Sequence, residues 1–128
     1  MARIVEDEII QNRFTEKPWG GEVKLTSDNL PFAGKYLRVK PGCRLSLQYH
    51  DTKDEVITLV SGTCYLIIED SKIRMEPRVG YHIKPGVIHR IVAVSMCDRF
   101  EVSSPEVGKT HRIEDDYERD DVEVLSAD

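Results

Sequence analysis

The sequence predicts an all-β domain, an antiparallel sandwich or barrel, on three observations. Short β-type runs recur at spacings of about 8–12 residues. Turn-forming residues bound the runs, each with its own backbone reason. No helical periodicity is sustained, apart from a weak trace near the two ends.

The elements follow in order along the chain. Phe14-Thr15-Glu16-Lys17-Pro18-Trp19-Gly20-Gly21 carries the only Trp, beside a proline and two glycines. It reads as a packed arm, anchored by Trp19, that leads into the first strand. Strands are expected at Lys35–Lys40, Cys43–His50, Val56–Val60, Thr63–Glu69, Lys72–Met75, Gly80–Ile83, His89–Ser95 and Arg99–Ser103. Pro41-Gly42, Ser61-Gly62, Asp70-Ser71, Pro77, Pro85-Gly86 and Ser95–Asp98 supply the turns between them. From Glu118 to Asp128 the chain is acidic and poor in aromatics, so 120–128 is expected to be a loosely ordered tail.

Length and composition bound the rest. At 128 residues, with 40% hydrophobic and 32% charged, the chain fits one globular domain, residues 1–128, with its core at about 16–119. The net charge of -5 argues against a nucleic-acid partner, while a locally positive pocket for a small anion stays open. No apolar run approaches the roughly 20 residues that span a bilayer. The N-terminus turns acidic at Glu6-Asp7-Glu8, so a cytoplasmic location is expected. Cys43, Cys64 and Cys97 are odd in number and form no Cys-x-x-Cys pair, and read as reduced.

One stretch stands apart. In Leu45-Ser46-Leu47-Gln48-Tyr49-His50, strand alternation puts Ser46, Gln48 and His50 on one face. Glu55 follows a turn and opens the next strand, expected to return antiparallel beside the first. His89 starts another strand after the Pro85-Gly86 turn. If the sheet curls into a barrel, these four side chains converge on one cavity. Two imidazoles, a carboxylate and an amide oxygen suit a divalent ion such as Zn, Mn, Fe, Co or Ni.

Further residues attract attention by parity and neighbourhood. Arg44 shares parity with Ser46, Gln48 and His50 and should face inward, where it wants an anion from an internal Asp or Glu or from a substrate phosphate. Lys53 is either a phosphate ligand or a solvated turn residue. His82, one strand before His89, is a core histidine or a general base near the pocket. Arg90 alternates away from His89 and is expected at the pocket mouth or on the surface. His111 has no supporting context, and Glu114-Asp115-Asp116 reads as a solvated cap.

Here the motifs match a known family. Gly42-x5-Gln48-x-His50-x4-Glu55-x6-Gly62 resembles the first cupin motif, with Gln in place of its usual first His. Pro85-Gly86-Val87-Ile88-His89-Arg90 resembles the second. Glu16-Lys17-Pro18-Trp19-Gly20 and the closing Arg112–Arg119 are similar to the type II mannose-6-phosphate isomerase domain. Asp51-Thr52-Lys53 stands where that branch carries His-His-Arg, so a positive charge survives only as Lys53.

The resemblance implies a single-domain double-stranded β-helix, the cupin jelly-roll barrel, with an N-terminal arm and a short C-terminal tail. It implies zinc held by Gln48, His50, Glu55 and His89. It further implies an aldose–ketose isomerase that acts on a sugar phosphate through a metal-stabilised enediolate, with Lys53, His82 and Arg44 as candidate catalytic residues. Two alternatives stay open: a non-catalytic sugar- or sugar-phosphate-binding cupin, and an iron-dependent cupin oxygenase. A small-molecule sugar partner, no membrane and a homodimer built through sheet edges or the Trp19 arm complete the expectations.

Overall fold

The structure, a computed structural model, describes residues 8–105, 107–117 and, as backbone, 122–124. It is all-β among these residues. Twelve strands run in chain order: β1 Phe14–Lys17, β2 Gly20–Lys24, β3 Ala33–Val39, β4 Leu47–His50, β5 Glu55–Ser61, β6 Cys64–Ile68, β7 Ser71–Arg74, β8 Gly80–Ile83, β9 His89–Ala93, β10 Cys97–Ser103, β11 Gly108–Glu114 and β12 Val122–Val124. They form two six-stranded antiparallel sheets, ordered β1-β2-β3-β10-β5-β8 and β12-β11-β4-β9-β6-β7. This is the jelly-roll architecture that the motifs imply.

Alternation builds the interior. On β5, Glu55, Ile57 and Leu59 are buried while Val60 is exposed; on β10, Cys97, Arg99 and Glu101 are buried while Phe100 and Val102 are exposed. Val39, Leu66, Ile83, Ile91 and Ala93 complete a core squeezed between the two sheets. That core leaves one end of the inward-facing rows to polar residues, and the site lies there.

Three expectations change. The N-terminal arm is a β1–β2 hairpin that extends the first sheet through β3. Trp19 does anchor it: the side chain is buried and its carbonyl accepts a hydrogen bond from Lys40 N at 2.8 Å. The run from Cys43 is not one strand, because Arg44 makes only an isolated bridge to Val92 and regular pairing starts at Leu47. Of the tail expected to be loose, Val122–Val124 is described, and its backbone pairs with β11 as β12. The rest of 120–128, with Glu118 and Arg119 of the closing motif, lies outside the described residues.

Two glycines are required for different reasons, Gly86 at the approach to the site and Gly62 at the far end of β5. Gly86 turns the chain into β9 with φ +81°, and its N–H binds the His50 carbonyl at 2.8 Å. Gly62 is required by contact as well, since a Cβ there would lie 2.1 Å from the Met96 carbonyl oxygen. No helix among the described residues is long and apolar enough to cross a membrane.

Candidate metal centre

Both sheets build the site. β4 carries Gln48 and His50, and its pairing with β9 sets Gln48 directly opposite His89. Glu55 comes from the facing sheet, on β5. The expectation that Glu55 returns beside β4 is therefore corrected: the turn after His50 crosses the sandwich instead of closing a hairpin. Glu55 reaches the two histidines across the interior.

His50, Glu55 and His89 each offer a ligand atom, and these atoms lie within 4.8 Å of one another. His89 Nε2 is 3.1 Å and His50 Nε2 4.0 Å from Glu55 Oε1. All three residues are buried, at 3–5% exposure. The far side of each imidazole is already engaged. His89 Nδ1–H donates to the Val87 carbonyl at 2.9 Å, and His50 Nδ1 lies 2.9 Å from Thr110 Oγ1. Such outer bonds fix the ring orientation and leave each Nε2 lone pair for a cation.

Gln48 stands beside the cluster. Its Oε1 accepts a hydrogen bond from Ser46 Oγ at 2.6 Å, and its Nε2 is 3.5 Å from His50 Nε2. A half-turn of the amide exchanges these two ends, so Gln48 can offer either a donor or an oxygen toward His50.

Electrostatics favour an ionised Glu55. Burial raises its carboxyl pKa, but the Lys53 ammonium and the neighbouring His89 and His50 outweigh that and hold it below the ordinary carboxylate range. Lys53 Nζ lies 3.2 Å from Glu55 Oε2 and 2.7 Å from Glu101 Oε2. Glu55 Oε2 nevertheless accepts no hydrogen bond. Oε2 faces Lys53, while Oε1 faces the two oriented imidazoles. A buried, ionised carboxylate beside two imidazole nitrogens fits a divalent cation in donor type and in charge.

The structure sorts the remaining candidates. Lys53 is no solvated turn residue; it is buried in ion pairs with both glutamates. Arg44 does not face inward. The chain is irregular before Leu47, so parity is lost, and the half-exposed guanidinium binds Asp116 at 2.6 and 2.8 Å and Glu114 at 3.2 Å. His82 is not in the core: it is half-exposed on β8, pairs with Asp54 at 2.5 Å and lines a surface pocket with Asp54 and Glu55, while its neighbour Ile83 takes the buried position.

Arg90 is not on the surface, though it does point away from His89. It is buried, donating to the Leu45 carbonyl at 2.8 Å and to Glu114. The acidic run is therefore a clasp for Arg44 and Arg90. His111 gains a context, stacked on Tyr49 and 2.8 Å from Asp51. Glu101 and Arg99 went unnoticed in the sequence, although Cys97-x-Arg99-x-Glu101 places two charges at inward positions of a strand.

Comparison with known proteins agrees with this fold. The family model described as mannose-6-phosphate isomerase C-terminal matches residues 5–121. The chain is 32% identical over 79 residues to the alginate biosynthesis protein AlgA of Pseudomonas aeruginosa, covering 59% of this chain and 15% of that protein. It is 33% identical over 75 residues to a mannose-1-phosphate guanylyltransferase of Sinorhizobium fredii, covering 59% and 14%. The chain thus spans about one seventh of the length of these curated relatives. Its fold is similar to that of a cupin superfamily protein from Desulfitobacterium hafniense, with TM-score 0.60, 14% identity, and coverage of 65% of this chain and 74% of that one.

Proposed function

The chain belongs to the mannose-6-phosphate isomerase C-terminal family, and we propose that it is a metal-dependent aldose–ketose isomerase acting on a sugar phosphate. The convergence of His50, Glu55 and His89 donors within 4.8 Å in a buried interior carries this reading.

His50 Nε2, His89 Nε2, the Glu55 carboxylate and the Gln48 amide would hold the ion. Zinc suits this set best, and Mn, Fe, Co or Ni suit it also. When bound, such an ion supplies positive charge that polarises a carbonyl and stabilises negative charge on adjoining oxygens.

The chain's own residues do the rest. Isomerisation moves a proton between adjacent carbons, so a group near the ligands must take it up and return it. Lys53 and Glu101 are the candidates: they sit 2.7 Å apart, with Lys53 also in contact with Glu55. Burial of this pair keeps bulk water from exchanging the proton in transit. His82, which pairs with Asp54 in a surface pocket that Glu55 also lines, is a further candidate for the proton-carrying group, whereas Arg44 is spent on an outward ion pair and has no part in this scheme.

The test is to supply mannose 6-phosphate and follow fructose 6-phosphate, with and without a chelator. The reading expects turnover that chelation abolishes and zinc restores. Absent turnover, or turnover indifferent to chelation, removes it.

A second reading, a module that binds a sugar phosphate without converting it, draws on one observation. Lys53 is held between two carboxylates, which opposes its loss of a proton. Thermal stabilisation by sugar phosphates without turnover distinguishes this case. In either case a homodimer through the open sheet edges is the expected assembly.

A further inference from the structure

Arg99 is buried at 3% exposure on β10, where its register neighbours are Leu37 and Leu59, both buried core residues. Its guanidinium approaches one carboxylate, Glu101, with Nη2 3.7 Å from Oε1. Its Nε and Nη1 have no hydrogen-bond partner. A planar, permanently charged donor group is rarely left unsatisfied in an apolar interior.

The same guanidinium is wired to the metal centre. Glu101 bridges Arg99 to Lys53, Lys53 contacts Glu55, and Glu55 contacts His89. The buried charges of this line balance: Arg99 and Lys53 against Glu55 and Glu101. With neutral imidazoles and a neutral amide, a divalent cation at the histidines would add two uncompensated positive charges. A dianion restores neutrality, whereas a neutral sugar leaves both charges and a carboxylate leaves one.

We infer that Arg99 is the anion-recognition residue of the barrel interior, and that it takes the phosphate of a phosphate monoester. The unpaired Nε and Nη1 donors match phosphate oxygens, and a phosphate monoester carries about -1.5 to -2 charge at neutral pH. The site then has two ends. The histidine–glutamate cluster takes sugar oxygens and Arg99 takes the phosphate, with Lys53 and Glu101 between them. The inference rests on the sugar-phosphate reading above and adds the residue that would select a phosphorylated sugar over a free one.

The experiment uses the zinc-loaded, 15N-labelled protein and follows the Arg99 Nε–H resonance, assigned with Arg99→Lys. Inorganic phosphate and mannose 6-phosphate are each expected to move that resonance saturably, and mannose to leave it unmoved. In calorimetry, Arg99→Lys is expected to weaken mannose 6-phosphate binding roughly 10- to 100-fold with zinc stoichiometry unchanged. An Arg99 resonance that stays put while mannose 6-phosphate binds overturns the inference, as does equal binding of mannose and its phosphate. If the variant fails to fold, triple-resonance assignment of the wild-type resonance decides. Zinc uptake and turnover are read separately. Phosphate sensed at Arg99 without turnover overturns isomerisation alone, and turnover without an Arg99 response overturns this inference alone.

Discussion

Lys53 Nζ lies 3.2 Å from Glu55 Oε2 inside the barrel, so the carboxylate that faces two histidines is also held by a buried ammonium. Lys53 therefore keeps Glu55 ionised, and its second contact, to Glu101 at 2.7 Å, fixes the ammonium in place.

Removing that ammonium leaves two buried carboxylates short of a cation. Lys53→Met is expected to destabilise the metal-free protein by about 3–5 kcal/mol in urea unfolding, the usual cost of breaking a buried pair. Zinc should recover part of the loss, because it supplies the missing positive charge at Glu55. A loss below about 0.5 kcal/mol would mean that the pair is not buried in solution.

Asp98 predicts a pH dependence. Its carboxylate accepts from Arg38 Nε at 2.8 Å and Nη2 at 3.2 Å, and these bonds hold its pKa below the ordinary 3.8. A depressed folded value contributes stability above the unfolded value and loses it as pH falls through the folded one. The stability difference between wild type and Asp98→Asn should be constant above about pH 5 and shrink below pH 3.8. A difference that grows on acidification contradicts the pairing.

The thiols should divide by burial. Cys64 and Cys97 are fully buried, and burial pushes the Cys64 thiol up to about 12 and raises that of Cys97. In native protein, iodoacetamide is expected to label Cys43, which is partly exposed, well before the other two. Mass spectrometry that finds Cys64 labelled early would contradict the core packing.

Arg90 is expected to matter for stability rather than catalysis. It ties the Leu45 carbonyl to Glu114 beneath the surface, clamping β11 beside β4. Arg90→Met should cost about 2–4 kcal/mol through the unsatisfied groups it leaves, while zinc stoichiometry stays the same. Loss of zinc binding without loss of stability would place Arg90 in the site instead.

The cluster of His50, Glu55 and His89 was legible because His50 and Glu55 are close in the chain and each histidine lies beside a readable strand or turn signal. Ser46, Gln48 and His50 do share one face, and His89 follows its glycine turn as expected. Parity carries only as far as a strand stays regular, which is why Arg44 was misplaced across the irregular residues before Leu47. Which sheet Glu55 joins depends on non-local pairing, with β10 and β8, and no local pattern encodes that. The β1–β2 hairpin escaped notice because its outer strand is mostly exposed and polar, leaving little alternation to read. Arg99 and Glu101 were visible as letters, yet charges at inward positions carry no meaning until their partners are known.

The central claim is that His50, Glu55 and His89, with Gln48, form a divalent metal centre. Calorimetric titration of chelator-stripped protein with zinc, wild type beside Glu55→Gln, tests it most directly. The account predicts one zinc per chain in the wild type and binding weakened at least tenfold in the variant. No zinc binding, or equal binding by both proteins, would contradict it.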